Sequence, residues 1–215
     1  MAADRPKQYL PLAGRTVIEH SLDRLLSHPA ILGAVVAISG NDGYWADLGY
    51  RHDKPLWIAE GGRERCDSVL NALRRLREHV ADDDWALVHD AARPCVRAQD
   101  IDALIRQAGA HPCGGILAVA ARDTIKRAGP HNEIHATVDR STLWHAQTAQ
   151  MFRVGPLADT LQRALQAGVT LTDEASAMEW AGQAPLLVTG HNDNIKITSP
   201  EDLALAEFYL KHFSR

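Results

Sequence analysis

The sequence predicts an α/β fold: a mostly parallel sheet flanked by helices, with a β-hairpin arm protruding from it. Two observations carry the sheet and a third the arm. Short apolar runs at 34–38 (AVVAI), 86–88 (ALV) and 116–120 (ILAVA) lack polar–apolar alternation and read as strands buried on both faces. Apolar residues at helical spacing lie between these runs, and strands that alternate with helices need crossover connections and run parallel. After residue 123 the pattern changes. Ile134, Ala136 and Val138 alternate with polar residues behind the turn residues Gly129-Pro130-His131-Asn132, which is a hairpin signal.

In chain order, a polar loop carries Pro6-Lys7-Gln8-Tyr9-Leu10. Thr16-Val17-Ile18-Glu19 then has the form of a capping box, and Ile18, Leu22, Leu25 and Leu26 extend it as an amphipathic helix to about His28. The strand at 34–38 is stopped by Asn41-Asp42-Gly43. A second strand at 56–59 turns at Gly61-Gly62 into a helix faced by Val69, Leu73, Leu76 and Val80, with Arg74, Arg75 and Arg77 on its solvated side. The acidic residues 82–84 precede a third strand, Trp85-Ala86-Leu87-Val88, which runs into His89-Asp90-Ala91-Ala92-Arg93-Pro94. A helix near 100–107 follows, then a strand introduced by Gly114-Gly115, then the arm; residues 143–152 (LWHAQTAQMF) continue as extended chain.

Leu157, Leu161 and Leu165 make a helix ended by Gly168. Thr172-Asp173-Glu174 opens another, ended by Gly182, with Thr172 a good N-cap by itself. A strand at 186–189 precedes Ile195-Lys196-Ile197, read as a very short strand with Lys196 pointing away from its neighbours. Ser199-Pro200-Glu201-Asp202 supplies an N-cap, an N1 proline and an acidic first turn for the terminal helix.

The 215 residues suit a single domain with an arm at about 123–152. A net charge of −4 leaves no basic footprint for nucleic acid. No apolar run approaches the ~20 residues that span a membrane. Cys66, Cys95 and Cys113 have no metal spacing and read as reduced thiols, which implies a cytoplasmic protein. His131 and His135 have the i, i+4 spacing of a metal pair, but the Gly129-Pro130 turn and the lack of further ligands argue against zinc.

The chemistry gathers at three stretches: Lys7 in its loop, Asp90 with Arg93 after the third strand, and Asp193-Asn194-Ile195-Lys196. In open α/β sheets ligands bind beyond the carboxyl ends of the strands. A carboxylate there can hold a hard cation such as Mg²⁺, and an arginine three residues on can fork onto a phosphate. The same residues also suit a helix N-cap with a surface arginine. Two lysines, an arginine and a carboxylate together are what phosphoryl or nucleotidyl transfer requires, with no protein nucleophile. No G-x-S-x-G elbow, Walker A sequence or G-x-G-x-x-G is present.

The stretches PKQYL, HDAARP, the arm ending TVDR, LWHAQTAQ, TDEAS and DNIK, in that order and spacing, resemble the 2-C-methyl-D-erythritol 4-phosphate cytidylyltransferase family. The resemblance covers essentially the whole chain. It implies a Rossmann-like domain, a homodimer by arm exchange, and transfer of CMP from CTP to methylerythritol phosphate with release of pyrophosphate. The reaction would use Mg²⁺ or another divalent cation and serve the non-mevalonate route to isoprenoid precursors. Carried across by position, it implies that Lys7 stabilises charge at the α-phosphorus, Asp90 binds the metal and Arg93 the methylerythritol phosphate. Gly62 and Ser68 would contact the cytidine nucleotide. Thr148, Thr172 and Lys196 would hold and aim the second substrate, while Thr124 and Arg140 on the arm would reach the partner's site.

Two departures from the family pattern stand out. Its first strand and glycine-rich phosphate loop, just ahead of PKQYL, are absent from this sequence, and Ala149 stands where proline usually follows the threonine. The absent loop implies either a shortened sequence, the preferred reading, or a catalytically impaired dimeric nucleotide-binding module; within enzymes the alternative is a cytidylyltransferase for another polyol phosphate, such as ribitol 5-phosphate.

Overall fold

The computed structural model describes residues 5–212. A 3-10 turn at Lys7–Tyr9 leads into a small hairpin, β1 (Pro11–Leu12) and β2 (Arg15–Thr16), and then α1 (Val17–Leu26). Next come β3 (Ala34–Ile38), α2 (Tyr44–Leu48), β4 (Leu56–Glu60), α3 (Arg65–Leu76), β5 (Trp85–Val88), α4 (Ala98–Gly109) and β6 (Gly115–Ala120). The arm is β7 (Ile125–Ala128) with β8 (Ile134–Val138). The chain returns through β9 (Trp144–Arg153), α5 (Val154–Gln166), α6 (Glu174–Trp180), β10 (Leu186–Thr189) and α7 (Pro200–His212).

Local signals set most boundaries. The Thr16 N–H donates to the Glu19 carboxylate at 2.7 Å, completing the capping box of α1. Gly168 and Gly182 adopt the left-handed backbone just beyond α5 and α6, as their sequence positions require. The N-cap of α6 is Asp173, whose carboxylate accepts the Ser176 N–H at 2.9 Å, so Thr172 does not fill that role. Asn41-Asp42-Gly43 does more than stop β3. Asp42 accepts the N–H groups of Tyr44 and Trp45 at 2.9 and 3.1 Å and so starts α2, a helix too short for its periodicity to be read.

Within the four-stranded sheet β10, β6 and β5 run the same way, as a mostly parallel sheet requires, and β9 is its one antiparallel strand. β10 and β6 pair in parallel, but β9 lies between β6 and β5 and runs antiparallel to both. β3 and β4 form a separate parallel pair. The antiparallel strand arises because the chain, leaving β6 through the arm, turns back along the strand it has just left. The ten-residue β9 is buried from Gln147 to Phe152. Its side chains alternate between two cores: Ala149 and Met151 pack with α4, and Phe152 packs with α3, α5 and α6. Gly114 admits this strand closely, since a Cβ there would lie 2.3 Å from the Met151 carbonyl oxygen.

Residues Ile195, Lys196 and Ile197 form no ladder and no strand. They are fixed by the Ile197 N–H donating to Ala92 C=O at 2.8 Å and by Ile197 filling the core beneath α7. Tyr9, Ile18, Leu22, Leu26 and Val36 make a further core between α1 and the β3–β4 pair. Among the described residues no helix is long and apolar enough to cross a membrane.

Candidate active site

Asp90 sits two residues beyond β5, and the chain brings three cations to it. Arg65 Nε donates to one carboxylate oxygen at 3.1 Å; Lys196 Nζ lies 3.0 Å and Arg93 Nε 3.4 Å from the other. Burial pushes the Asp90 carboxyl up, but Arg65, Lys196 and Arg93 outweigh it and hold it well below the usual carboxylate range. Arg65 also grips Glu174 with both terminal nitrogens, at 2.6 and 3.0 Å. Three cations therefore face two carboxylates, leaving a surplus of positive charge in the cluster. Such a surplus is suited to attracting an anion such as a phosphate.

The cluster is held from behind by a polar network. The Asp90 N–H donates to Thr148 Oγ1 at 3.0 Å, and that hydroxyl lies 3.1 Å from His89 Nδ1. His89 Nε2 faces the Arg93 carbonyl at 2.9 Å, so a neutral ring keeps its proton there and accepts from Thr148 at Nδ1. Burial pushes the His89 pKa down to about 4, which keeps the ring neutral. Thr148 thus orients the Asp90 turn through its hydroxyl, and the peptide bond from Thr148 to Ala149 is cis. Arg93 Nη1 donates to Asn194 C=O at 2.7 Å, and Asn194 Nδ2 donates to Thr148 C=O at 2.7 Å. These bonds seat the Asp193–Lys196 stretch beside Asp90.

That stretch is also tied to α4. Arg97 Nε donates to Asp193 at 2.7 Å, and His191 Nδ1 lies 2.6 Å from the buried Asp100 carboxylate. Lys196 is thereby presented on a loop anchored at both Asn194 and Ile197.

The other expected residues fall into separate places. The Gly62 N–H donates to Ser68 Oγ at 2.9 Å, closing the loop from β4 into α3, and a Cβ on Gly62 would strike Asp67 at 2.1 Å. Thr172 is exposed just ahead of Glu174, its N–H donating to Ser176 Oγ at 3.1 Å. Lys7 lies in the 3-10 turn and makes no ion pair among the described residues. Thr124 and Arg140 are exposed at the base of the arm, where Arg140 donates to Arg122 C=O; no hydrogen bond joins either to the Asp90 cluster. His131 and His135 are exposed on the arm, and no group of three or more metal-ligating side chains occurs among the described residues.

Sequence reasoning missed Arg65, Glu174 and His89. A signal for Arg65 existed. It is the first residue of α3, where a cation opposes the helix dipole and calls for an acidic partner.

The sequence profile of the 2-C-methyl-D-erythritol 4-phosphate cytidylyltransferase family matches residues 1–212. A protein of that name from Vibrio vulnificus is 57% identical over 210 residues, 98% of this chain and 89% of the relative. One from Pseudomonas putida is 58% identical over 204 residues, 94% of this chain and 87% of the relative. A crystal structure described as 4-diphosphocytidyl-2C-methyl-D-erythritol synthase superposes with TM-score 0.86 at 40% identity, covering 95% of each chain. The Francisella tularensis 2-C-methyl-D-erythritol 4-phosphate cytidylyltransferase superposes with TM-score 0.85 at 38% identity, covering 96% of this chain and 94% of that one. The chain belongs to the 2-C-methyl-D-erythritol 4-phosphate cytidylyltransferase family.

Proposed function

We propose that the chain transfers CMP from CTP to 2-C-methyl-D-erythritol 4-phosphate in non-mevalonate isoprenoid precursor synthesis, forming 4-diphosphocytidyl-2-C-methyl-D-erythritol and pyrophosphate. The observation that carries this reading is the convergence of Arg93 and Lys196 on Asp90 with a net positive surplus. A phosphate oxygen of the sugar alcohol forms a bond to the α-phosphorus of CTP. The bond from that phosphorus to the α–β bridging oxygen breaks, and its electron pair leaves with pyrophosphate. The attacking oxygen is already anionic, so the chain needs no general base. Its work is alignment and charge stabilisation.

In this reading Arg93 and Lys196 bind and aim the incoming phosphate, and Lys7 neutralises charge growing at the α-phosphorus. Gly62 and Ser68 receive the cytidine nucleotide, and Thr148 and Thr172 position the methylerythritol. When bound, a divalent cation such as Mg²⁺ supplies charge neutralisation across the triphosphate, and Asp90 is the residue that would hold it. One carboxylate is enough for Mg²⁺ when phosphate oxygens complete the set. Arg65 and Lys196 engage the two Asp90 oxygens, so a cation there would need phosphate oxygens beside this carboxylate. Thr124 and Arg140 project from an arm that suits exchange between two subunits of a cytoplasmic homodimer.

Pyrophosphate release from CTP tests the proposal, with methylerythritol phosphate and ribitol 5-phosphate offered in parallel. Release that requires methylerythritol phosphate supports it. Equal release with ribitol 5-phosphate moves the substrate elsewhere, and none with either leaves a nucleotide-binding module.

A further inference from the structure

We propose that Arg65 is a positioning residue for the reaction: clamped by the buried Glu174, it fixes the direction of the Asp90 carboxylate. The proposal rests on the reading of Asp90 as the centre of the site. Arg65 and Glu174 occupy the first positions of α3 and α6, so both are set by the starts of rigid elements. The Glu174 side chain is 1% exposed, and a buried carboxylate keeps its charge only when paired and hydrogen-bonded. It meets the guanidinium through two parallel bonds, at 2.6 and 3.0 Å. That fork fixes the plane of the guanidinium, because a planar donor set held at two points cannot turn.

Nε, one of the donors left on the same plane, then points at Asp90 Oδ1 at 3.1 Å. The two Asp90 oxygens are thus unequal. Oδ1 faces a donor locked by a buried anion. Oδ2 faces Lys196, whose side chain is 37% exposed, and the more distant Arg93 at 3.4 Å. When Lys196 turns to a phosphate, Oδ2 keeps only the more distant Arg93 while Oδ1 stays fixed. A lysine at position 65 could supply the charge but not the fork.

The test compares Arg65→Lys, and the double variant Arg65→Met with Glu174→Gln, which strands no buried charge, against the parent. Each is also combined with Asp90→Asn. Pyrophosphate release gives kcat and both KM values, thermal melting reports the fold, and a crystal structure of Arg65→Lys reports the Asp90 carboxylate. Supporting side chains behind a reactive group cost ~10–100-fold when removed. The expected result is a loss of that size in kcat, melting close to the parent, and no further loss in the Asp90→Asn background. The carboxylate should be turned in the crystal. Losses that multiply with Asp90→Asn, or an unmoved carboxylate, overturn the proposal. If the parent itself releases no pyrophosphate, the functional reading falls, and the crystal structure still decides whether Arg65 orients Asp90.

Discussion

Lys196 Nζ lies 3.0 Å from Asp90 Oδ2, joining the loop before α7 to the turn after β5. This lysine rests on the carboxylate that Arg65 and Arg93 also contact. It is the most exposed of the three cations around Asp90, so it is the one best able to leave for a phosphate.

For Lys196→Ala, kcat and kcat/KM for the polyol phosphate should fall together by ~10²-fold or more, with KM for CTP nearly unchanged. Steady-state kinetics with each substrate varied in turn make the check. A change confined to KM for CTP would place the lysine on the other substrate.

The crowding of cations around Asp90 gives an expectation for metal binding. Mn²⁺ or Mg²⁺ alone should leave the melting temperature unmoved, whereas the same ion with CTP should raise it, because the nucleotide brings the missing ligands and charge. Tight binding of the bare ion, read by calorimetry, would show that Asp90 frees its oxygens unaided.

How much of this was readable beforehand depends on distance along the chain. The capping box at Thr16 and Glu19 and the glycine stops at Gly168 and Gly182 are local, and each was visible in a few residues. The Asp90–Arg93 pair was visible for the same reason. Arg65 and Glu174 are 109 residues apart and meet only because α3 and α6 start side by side. β9 reads in the sequence as extended chain, but it lacks the apolar run that marks a buried sheet strand. Gln147, Thr148 and Gln150 are polar, yet Gln150 is 1% exposed and satisfied by Asp173 at 2.9 Å and the Ala175 N–H at 3.0 Å.

His89 sets a stability expectation. Its pKa falls from 6.5 to about 4 in the folded chain, so between those values the unfolded state binds a proton that the folded state refuses. Stability is then intact near pH 7 and drops as pH falls through this window, by at most about 3 kcal/mol. Urea unfolding of the parent and His89→Gln at pH 7 and pH 4.5 measures it. The parent should lose more on acidification than the variant, and equal losses would remove the effect from His89.

The arm gives a test that a single chain cannot. An isolated hairpin is marginal in water, and Ile134 is 69% exposed on it, so the arm suits a partner surface. With Arg140→Ala in one subunit and Asp90→Asn in the other, a shared-site dimer has one site with both lesions and one with neither. Activity should reappear on mixing and reassembly. Sites built within one subunit would stay silent in every mixture, because each keeps a lesion.

Asp90 is the residue on which the site is centred. The kcat of Asp90→Asn for CMP transfer to methylerythritol phosphate is the deciding measurement, taken alongside a melting curve that shows the fold kept. If Asp90 is the centre on which Arg65, Arg93 and Lys196 converge, turnover falls by ~10²–10³-fold. Turnover within a few-fold of the parent would contradict it.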